Sequence, residues 1–197
     1  MLQVFGRAKS RSFRVIWLLE ELKIFYELKE INPQSPEALK FYDNGKIPFI
    51  IDNGILISDS VAILTYLSDK NRTFTEMPGT IKRAKQDSVT HRILDEFDSL
   101  LWVAAKHIYV LPIEKRVPEI LEILKWEFVK NQEKIIEEFS EKNFICGEKF
   151  LIPDILLIHC LMWAESMNFP ICEDLTKYAE KIRDRTAFKK AFKLRVT

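Results

Sequence analysis

The segment KIPFIIDNGILISDSVAILTYL, residues 46–67, contains the pattern of strand, tight turn, strand and helix in one continuous stretch. Two apolar runs, residues 49–51 and 55–57, flank the sequence Asp-Asn-Gly. Asn and Gly tolerate the positive φ angles of a two-residue hairpin turn, so the runs predict paired antiparallel strands. Residues 58–60, Ser-Asp-Ser, then offer oxygen atoms that can cap a helix with an apolar stripe. An exposed helix N-terminus of this kind can bind an anion or a polar ligand.

The residues before this segment predict a parallel pair of strands. Residues 2–5 are mostly apolar, residues 13–22 carry apolar side chains at helical spacing, and residues 25–31 alternate apolar and charged side chains. Strand, helix and strand in this order predict a βαβ unit. A short helix around residues 37–42 is expected in the loop that follows. The first seventy or so residues therefore have the predicted order βαβ and then ββα.

Helical periodicity dominates the chain after the polar residues 71–80, which include Pro78 and Gly79. The predicted helices cover residues 80–109, 118–140 and 154–167, with one or two shorter helices over 175–192. The third of these is almost wholly apolar, so we expect it at the centre of a bundle. The fold class predicted is α/β plus all-α, with an α/β domain over residues 1–72 and an all-helical domain over residues 80–197.

Composition excludes several classes of protein. The 197 residues are 47% hydrophobic, which is sufficient for a packed core, and 30 Lys and Arg against 29 Asp and Glu give a net charge of +1. Such a charge draws the whole molecule neither to nucleic acid nor to an anionic membrane. No apolar run approaches the roughly 20 residues that span a bilayer, and the first residues lack the apolar core of a secretion signal. We expect a globular cytoplasmic protein that binds neither nucleic acid nor membrane.

The three cysteines, Cys146, Cys160 and Cys172, are odd in number and show no CxxC spacing. This pattern argues against a disulfide framework and against a zinc site, and we expect no metal. Cys160 lies in the apolar run 155–162, where a buried and inert thiol is favoured over a reactive one.

The order of elements and several motifs resemble the cytosolic glutathione transferases. The most specific motifs are GKIP at residues 45–48 and SDSVAILTYL at residues 58–67. Residues 6–22 support the resemblance, as does GEKF at residues 147–150 followed by Asp154. The resemblance implies a thioredoxin-like N-terminal domain that binds glutathione and a helical C-terminal domain that supplies much of the electrophile pocket. It also implies a homodimer.

The resemblance implies roles for five residues in glutathione binding. Ile47 pairs with the backbone of the tripeptide, and the Ile47-Pro48 bond is cis. Asp59 and Ser60 hold the γ-glutamyl end, since a carboxylate can accept from the α-ammonium while a hydroxyl and helix amides donate to the α-carboxylate. Lys46 is placed to reach the glycine carboxylate. The alternatives are a helix cap alone, from Ser58 or Asp59, and a solvated loop lysine for Lys46.

The chemistry requires a thiolate, because a free thiol with a pKa near 8.5 is mostly protonated at neutral pH. Residues 6–14, where the family places the thiolate donor, contain neither tyrosine nor cysteine, so the resemblance is to the bacterial-type, serine-using branch. Ser10 is the candidate donor and Ser12 the second choice, because a shift of one residue in the helix start exchanges them. Either serine could instead be an ordinary cap.

Four cations, Arg7, Lys9, Arg11 and Arg14, surround these serines within eight residues. Positive charge at a helix N-terminus is unfavourable unless an anion binds there. Arg11 is the candidate that reinforces the field on the thiolate. A solvated basic turn, or pairing of Arg14 with a nearby acidic residue, is the alternative.

The leading functional hypothesis is glutathione transfer by attack of the thiolate on a small electrophile, or glutathione-dependent reduction of peroxides. A non-catalytic ligand-binding or protein-interaction module of the same fold is the alternative. A thiol-disulfide oxidoreductase is disfavoured, because no cysteine precedes Cys146. One departure from the family is Leu151, which replaces the usual Ser or Thr cap of the central bundle helix. We expect Pro153 and Asp154 to maintain that helix start.

Overall fold

The computed structural model describes residues 1–139 and 142–196. The strands are β1 Leu2–Phe5, β2 Tyr26–Lys29, β3 Phe49–Asp52 and β4 Ile55–Ser58. The α-helices are α1 Ser12–Leu22, α2 Pro36–Phe41, α3 Ser60–Asn71, α4 Ile81–Ile93, α5 Ser99–Ala105, α6 Ile120–Phe139, α7 Ile152–Ser166, α8 Glu173–Arg183 and α9 Thr186–Val196. The chain forms two compact units, one of Met1–Thr75 with the residues from Ile182 onward, the other of Glu76–Lys181.

The first unit contains a four-stranded mixed sheet in the order β2-β1-β3-β4. β1 is parallel to β2 and antiparallel to β3, so that Val4 pairs with Leu28 on one side and with Ile50 on the other. β3 and β4 form the predicted antiparallel hairpin. The βαβ-ββα order and the thioredoxin-like fold are confirmed.

The hairpin turn has the backbone conformation that its residues favour. Asn53 and Gly54 have φ of 50° and 80°, as both central residues of a two-residue turn of this hand require. Asp52 accepts hydrogen bonds from the Tyr66 hydroxyl at 2.8 Å and from the Lys70 ammonium. These bonds tie the end of β3 to α3 and lower the pKa of Asp52.

Helix α1 is buried at every residue from Ser12 to Leu19. A helix that is buried on every side must pack against neighbours on more than one face, and α9 is one of these neighbours. The Phe188 ring lies 5.7 Å from the Phe13 ring and 5.0 Å from the Trp17 ring, both nearly edge-on. The domain limits 1–72 and 80–197 stay a prediction, but packing places α9 with the first compact unit.

The second unit is helical, as the sequence predicts. The helix expected over residues 80–109 is continuous in space, but π-helical turns at Leu94–Asp98 and Lys106–Val110 separate α4 from α5 and extend α5. Helix α7 is buried from Ile152 to Met162, and Cys160 has no exposed surface, which confirms a buried thiol. No helix in the described ranges has both the length and the apolar character needed to cross a bilayer.

Asp154 organises the start of α7. Its carboxylate accepts from the Leu151 N–H at 2.6 Å, from the Ile145 N–H at 3.0 Å and from the Tyr178 hydroxyl. Burial and this neighbouring carboxylate raise the pKa of Tyr178. Leu151 has no side-chain acceptor, so only the half of the capping box made by Asp154 is present. The helix start is maintained despite the departure at Leu151.

Candidate functional site

A cis peptide bond joins Ile47 to Pro48 immediately before β3, as the resemblance implies. Pro48 is buried, Ile47 is half-buried, and Lys46 is exposed in the preceding loop. The Lys46 side chain therefore lies in solvent, while the chain at Pro48 is fixed in the core.

Asp59 and Ser60 lie at the junction of β4 and α3. The Asp59 backbone has φ 72° and ψ 128°, outside the regions that side-chain-bearing residues favour. Its Oδ1 atom accepts from the N–H groups of Val61 at 2.8 Å and Ala62 at 3.0 Å. Asp59 is therefore the cap of α3, and within the described part of the chain no donor contacts its second oxygen, Oδ2. Ser60 is almost fully buried.

Arg14 is a site residue whose place the sequence reasoning missed. Its side chain has no exposed surface, and its Nη1 donates to the Ser60 hydroxyl oxygen at 3.3 Å. The sequence leaves open a solvated basic turn or an ion pair for this arginine. Its position inside the apolar run of α1, between Phe13 and Val15, was the signal of burial. A buried guanidinium beside Ser60 brings positive charge to the start of α3.

The two serines of the first loop differ in exposure. The structure starts α1 at Ser12, with Arg11 as the preceding residue and no side-chain cap from it. Ser10 donates its hydroxyl to the Arg7 carbonyl at 2.8 Å and accepts from the Ser12 N–H at 3.2 Å. The two hydroxyl oxygens are 2.9 Å apart. Ser12 is fully buried, whereas Ser10 is half-exposed.

Gly6 explains why Ser12 is enclosed. The Gly6 backbone has φ +147°, and a Cβ atom built there would lie 2.0 Å from the Ser12 Oγ. Only glycine allows the hydroxyl to approach the end of β1 so closely. Ser10 is therefore the serine that a ligand can reach. The buried Ser12 hydroxyl contacts the Ser10 hydroxyl on the side that faces the core.

The loop carries a concentration of positive charge. Arg7 donates to the Asn32 side-chain oxygen at 2.8 Å and is exposed, as is Lys9, while Arg11 is half-buried. Helix α9 adds a cation that the sequence reasoning missed: Arg195 lies 5.7 Å from the Phe13 ring centre. Its pKa is lowered by burial and by the nearby Arg183.

No group of three or more potential metal ligands occurs among the described residues.

Comparison with known proteins adds to this geometry. Residues 6–73 match the family model described as glutathione S-transferase, N-terminal domain. Glutathione S-transferase 3 of Schizosaccharomyces pombe is 42% identical over 65 residues, which is 31% of this chain and only 27% of that protein. Glutathione S-transferase U21 of Arabidopsis thaliana is 27% identical over 192 residues, covering 90% of this chain and 83% of that protein.

Solved structures show the same fold over almost the whole chain. The glutathione transferase URE2P6 from Phanerochaete chrysosporium, in complex with oxidized glutathione, has a TM-score of 0.85 at 23% identity. The match covers 99% of this chain and 96% of that one. The N-terminal sequence therefore matches the family model, and the complete chain has the fold of this solved structure.

Proposed function

We propose that this chain, whose residues 6–73 match the glutathione S-transferase N-terminal domain and which is 27% identical to one glutathione S-transferase over 192 residues, belongs to that family, binds glutathione and transfers the glutathionyl group, through its sulfur, to a small electrophile. The hydrogen bond between Arg14 and Ser60 carries the proposal. It links α1, which begins two residues after the proposed thiolate donor Ser10, to α3, whose start holds the proposed γ-glutamyl clamp. One tripeptide can then contact both helix starts, each of which favours negative charge.

The proposed binding roles depend on which hydrogen-bonding atoms of these residues glutathione can contact. The Asp59 Oδ2 accepts from the α-ammonium of glutathione, because Oδ1 is used in the cap. The Ser60 hydroxyl and the first amides of α3 donate to the α-carboxylate, and Arg14 holds that hydroxyl in place. The Ile47 backbone pairs with the tripeptide, and Lys46 contacts the glycine carboxylate.

The chemical role belongs to Ser10. Its hydroxyl turns from the Arg7 carbonyl to the glutathione sulfur and donates a hydrogen bond to the thiolate, while Ser12 fixes the Ser10 oxygen from inside. Each unit by which the thiol pKa falls corresponds to about 1.4 kcal/mol of preference for the anion. The field of Arg11 adds to this preference. The thiol proton leaves to solvent, the sulfur forms a bond to the electrophilic carbon, and the leaving group departs with its electron pair.

Reduction of a peroxide follows from the same thiolate. Sulfur attack on one oxygen breaks the O–O bond, releases an alcohol and leaves a sulfenic acid on the first glutathione. The thiol of a second glutathione then attacks this oxidised sulfur and displaces its hydroxyl group as water, which gives glutathione disulfide. Both reactions need the same first step, the stabilisation of the thiolate.

Two measurements test the proposal. Calorimetry measures glutathione binding, and the turnover of a model aryl halide measures conjugating activity. We expect Ser10→Ala to lower kcat about 10- to 100-fold, to change the KM for glutathione little, and to raise the pKa of the bound thiol measured by thiolate absorbance.

We expect Asp59→Ala to raise the KM for glutathione about tenfold. Ser58→Ala, at the end of β4, is the matched control with unchanged kinetics. Absence of glutathione binding contradicts the proposed site, and full activity in a Ser10→Ala, Ser12→Ala double variant contradicts the serine mechanism.

A non-catalytic glutathione-binding module is the second candidate. It is favoured by the hydrogen bond that already occupies the Ser10 hydroxyl and by the complete burial of Ser12. Binding of glutathione without turnover, across a panel of aryl halides, enones and peroxides, identifies this function. We propose a homodimer for either function, which sedimentation equilibrium tests.

A further inference from the structure

The second compact unit contains a cleft of about 530 Å³. One side is the start of α4 with Glu76 before it, and the other is the segment between α6 and α7, from Lys142 to Leu151. The volume lies within the range of roughly 300–1,000 Å³ that is usual for small-molecule sites. None of the residues proposed for glutathione binding lines this cleft.

Buried hydrogen bonds hold both sides of the cleft. On one side, the buried Gln86 accepts from the Glu76 N–H at 2.7 Å. On the other, Phe144 and Gly147 exchange backbone hydrogen bonds of 2.8 and 2.9 Å, which makes a tight turn with Ile145 and Cys146 at its tip. The Ile145 N–H is in turn fixed by the fully buried Asp154. A ligand therefore meets sides that are already formed, and little ordering free energy is lost on binding.

The cleft carries an excess of positive charge. Its lysines are Lys82, Lys85, Lys142 and Lys149. Two glutamates, Glu76 and Glu148, also line the cleft, so the formal net charge of its side chains is +2. Glu148 accepts a hydrogen bond from the Asn143 side-chain amide. Within the described part of the chain, Lys82, Lys85 and Lys149 have no carboxylate partner. Lysines in excess of carboxylates around one cleft favour an anionic occupant.

We propose that this cleft binds a small molecule that carries two or more phosphate or carboxylate groups. Lys82 and Lys85, three residues apart on α4, face one end of the anion, and Lys149 faces the other from the opposite side. The apolar side chains of Val89, Ile145 and Leu151 line the cleft between them. The site does not depend on the proposed glutathione chemistry, because it shares no residue with it.

Cys146 provides a direct measurement of occupancy. It is half-exposed and lines the cleft, whereas the half-exposed Cys172 does not line it and Cys160 is buried. The probes are inorganic pyrophosphate and citrate, compared with sodium chloride at equal ionic strength. We expect at least one probe to slow alkylation of Cys146 by iodoacetamide about fivefold or more, measured by peptide mass spectrometry, and to leave Cys172 unchanged. Protection by pyrophosphate alone assigns phosphate groups to the ligand, and protection by citrate alone assigns carboxylates.

A pair of matched double variants tests the lysines. We expect Lys82→Gln with Lys85→Gln to weaken binding of the protecting probe at least about tenfold by calorimetry, because two charge-assisted hydrogen bonds are lost. Lys115→Gln with Lys134→Gln changes the net charge equally on exposed residues outside the cleft, and we expect less than a twofold effect. The proposal is overturned if neither probe protects Cys146 more than sodium chloride does, or if both pairs weaken binding equally. Glutathione binding by the same variants is unchanged in either case, which separates this site from the proposed glutathione site.

Discussion

At Asp59 the backbone adopts φ 72° and ψ 128°, a conformation that costs a residue with a side chain about 1–3 kcal/mol. The cap that its carboxylate makes to α3 offsets part of this cost. A glycine tolerates the same backbone without strain. Stability alone therefore does not explain an aspartate at this position, whereas the proposed role of its second carboxylate oxygen as an acceptor for glutathione does.

The effect of strain and the effect of binding can be separated by two substitutions at Asp59. We expect Asp59→Ala to lower the free energy of unfolding by about 1–2 kcal/mol, because the cap is lost and the strain remains. We expect Asp59→Gly to stay within about 1 kcal/mol of the parent, because relief of strain compensates for the lost cap. Both variants lose glutathione affinity. Urea unfolding and calorimetry measure the two effects, and a glycine variant that binds glutathione normally contradicts the proposed role of the carboxylate.

Among the elements, the start of α7 depends on one buried carboxylate. Asp154 receives hydrogen bonds from two backbone amides and one phenol, and these connect the helix to the segment before it and to α8. Buried donors that lose such an acceptor retain a desolvation cost of about 1–3 kcal/mol each. The same carboxylate holds one side of the cleft in the second unit.

We expect Asp154→Ala to destabilise the protein by about 3 kcal/mol, because three buried donors lose this acceptor and the Ile145 N–H keeps only a 3.3 Å hydrogen bond to the Tyr178 hydroxyl. Tyr178→Phe removes one of these donors and should cost about 1–2 kcal/mol. Glu148→Ala, at an exposed residue of the neighbouring segment, is the control with a change below about 0.5 kcal/mol. Urea denaturation followed by circular dichroism measures all three, and an equal loss in Asp154→Ala and Glu148→Ala shows that the buried carboxylate is not the determinant.

At the scale of the whole molecule, the end of the chain returns to its beginning. Helix α9 packs on α1, and Arg185 makes two hydrogen bonds, of 2.6 and 2.7 Å, to the Glu21 carboxylate. The Glu21 side chain is only 7% exposed and also accepts from the Trp17 indole N–H at 3.0 Å. The first unit therefore includes residues from both ends of the sequence, and the proposed glutathione site is built on a helix that α9 covers.

We expect Arg185→Ala to lower the free energy of unfolding by about 2–3 kcal/mol, a value reduced from that of a fully buried pair because Arg185 is partly exposed. The loss arises because Glu21 is left buried without its cation. Lys190→Ala is the matched control on the same helix, since its ammonium is 4.0 Å from Glu20 and mostly exposed, and we expect less than about 0.5 kcal/mol from it. Thermal and urea unfolding measure both. A loss in the control equal to that in Arg185→Ala would indicate a general effect of charge on α9.

Much of this organisation could be read from the sequence. The hairpin at Asn53-Gly54, the helix that Asp59 caps and the apolar helix after Pro153 were all predicted, because turn chemistry, capping and periodicity depend on residues close together in the chain. The family resemblance implied the cis bond at Pro48, which no local signal indicates. The sequence also placed both candidate serines in the first loop, although it could not distinguish their exposure.

The sequence by itself determined the order of elements and the approximate ends of most helices. Its family resemblance named the candidate residues for binding a tripeptide, and their role stays a prediction. Tertiary structure alone decided that Ser12 is enclosed by Gly6 while Ser10 is accessible. It also decided that Arg14 contacts Ser60, 46 residues away, and that Arg185 pairs with Glu21, 164 residues away. The physical reason is range: caps and turns are fixed by neighbours in the chain, whereas burial and the pairing of charges depend on which distant surfaces the packed core brings together.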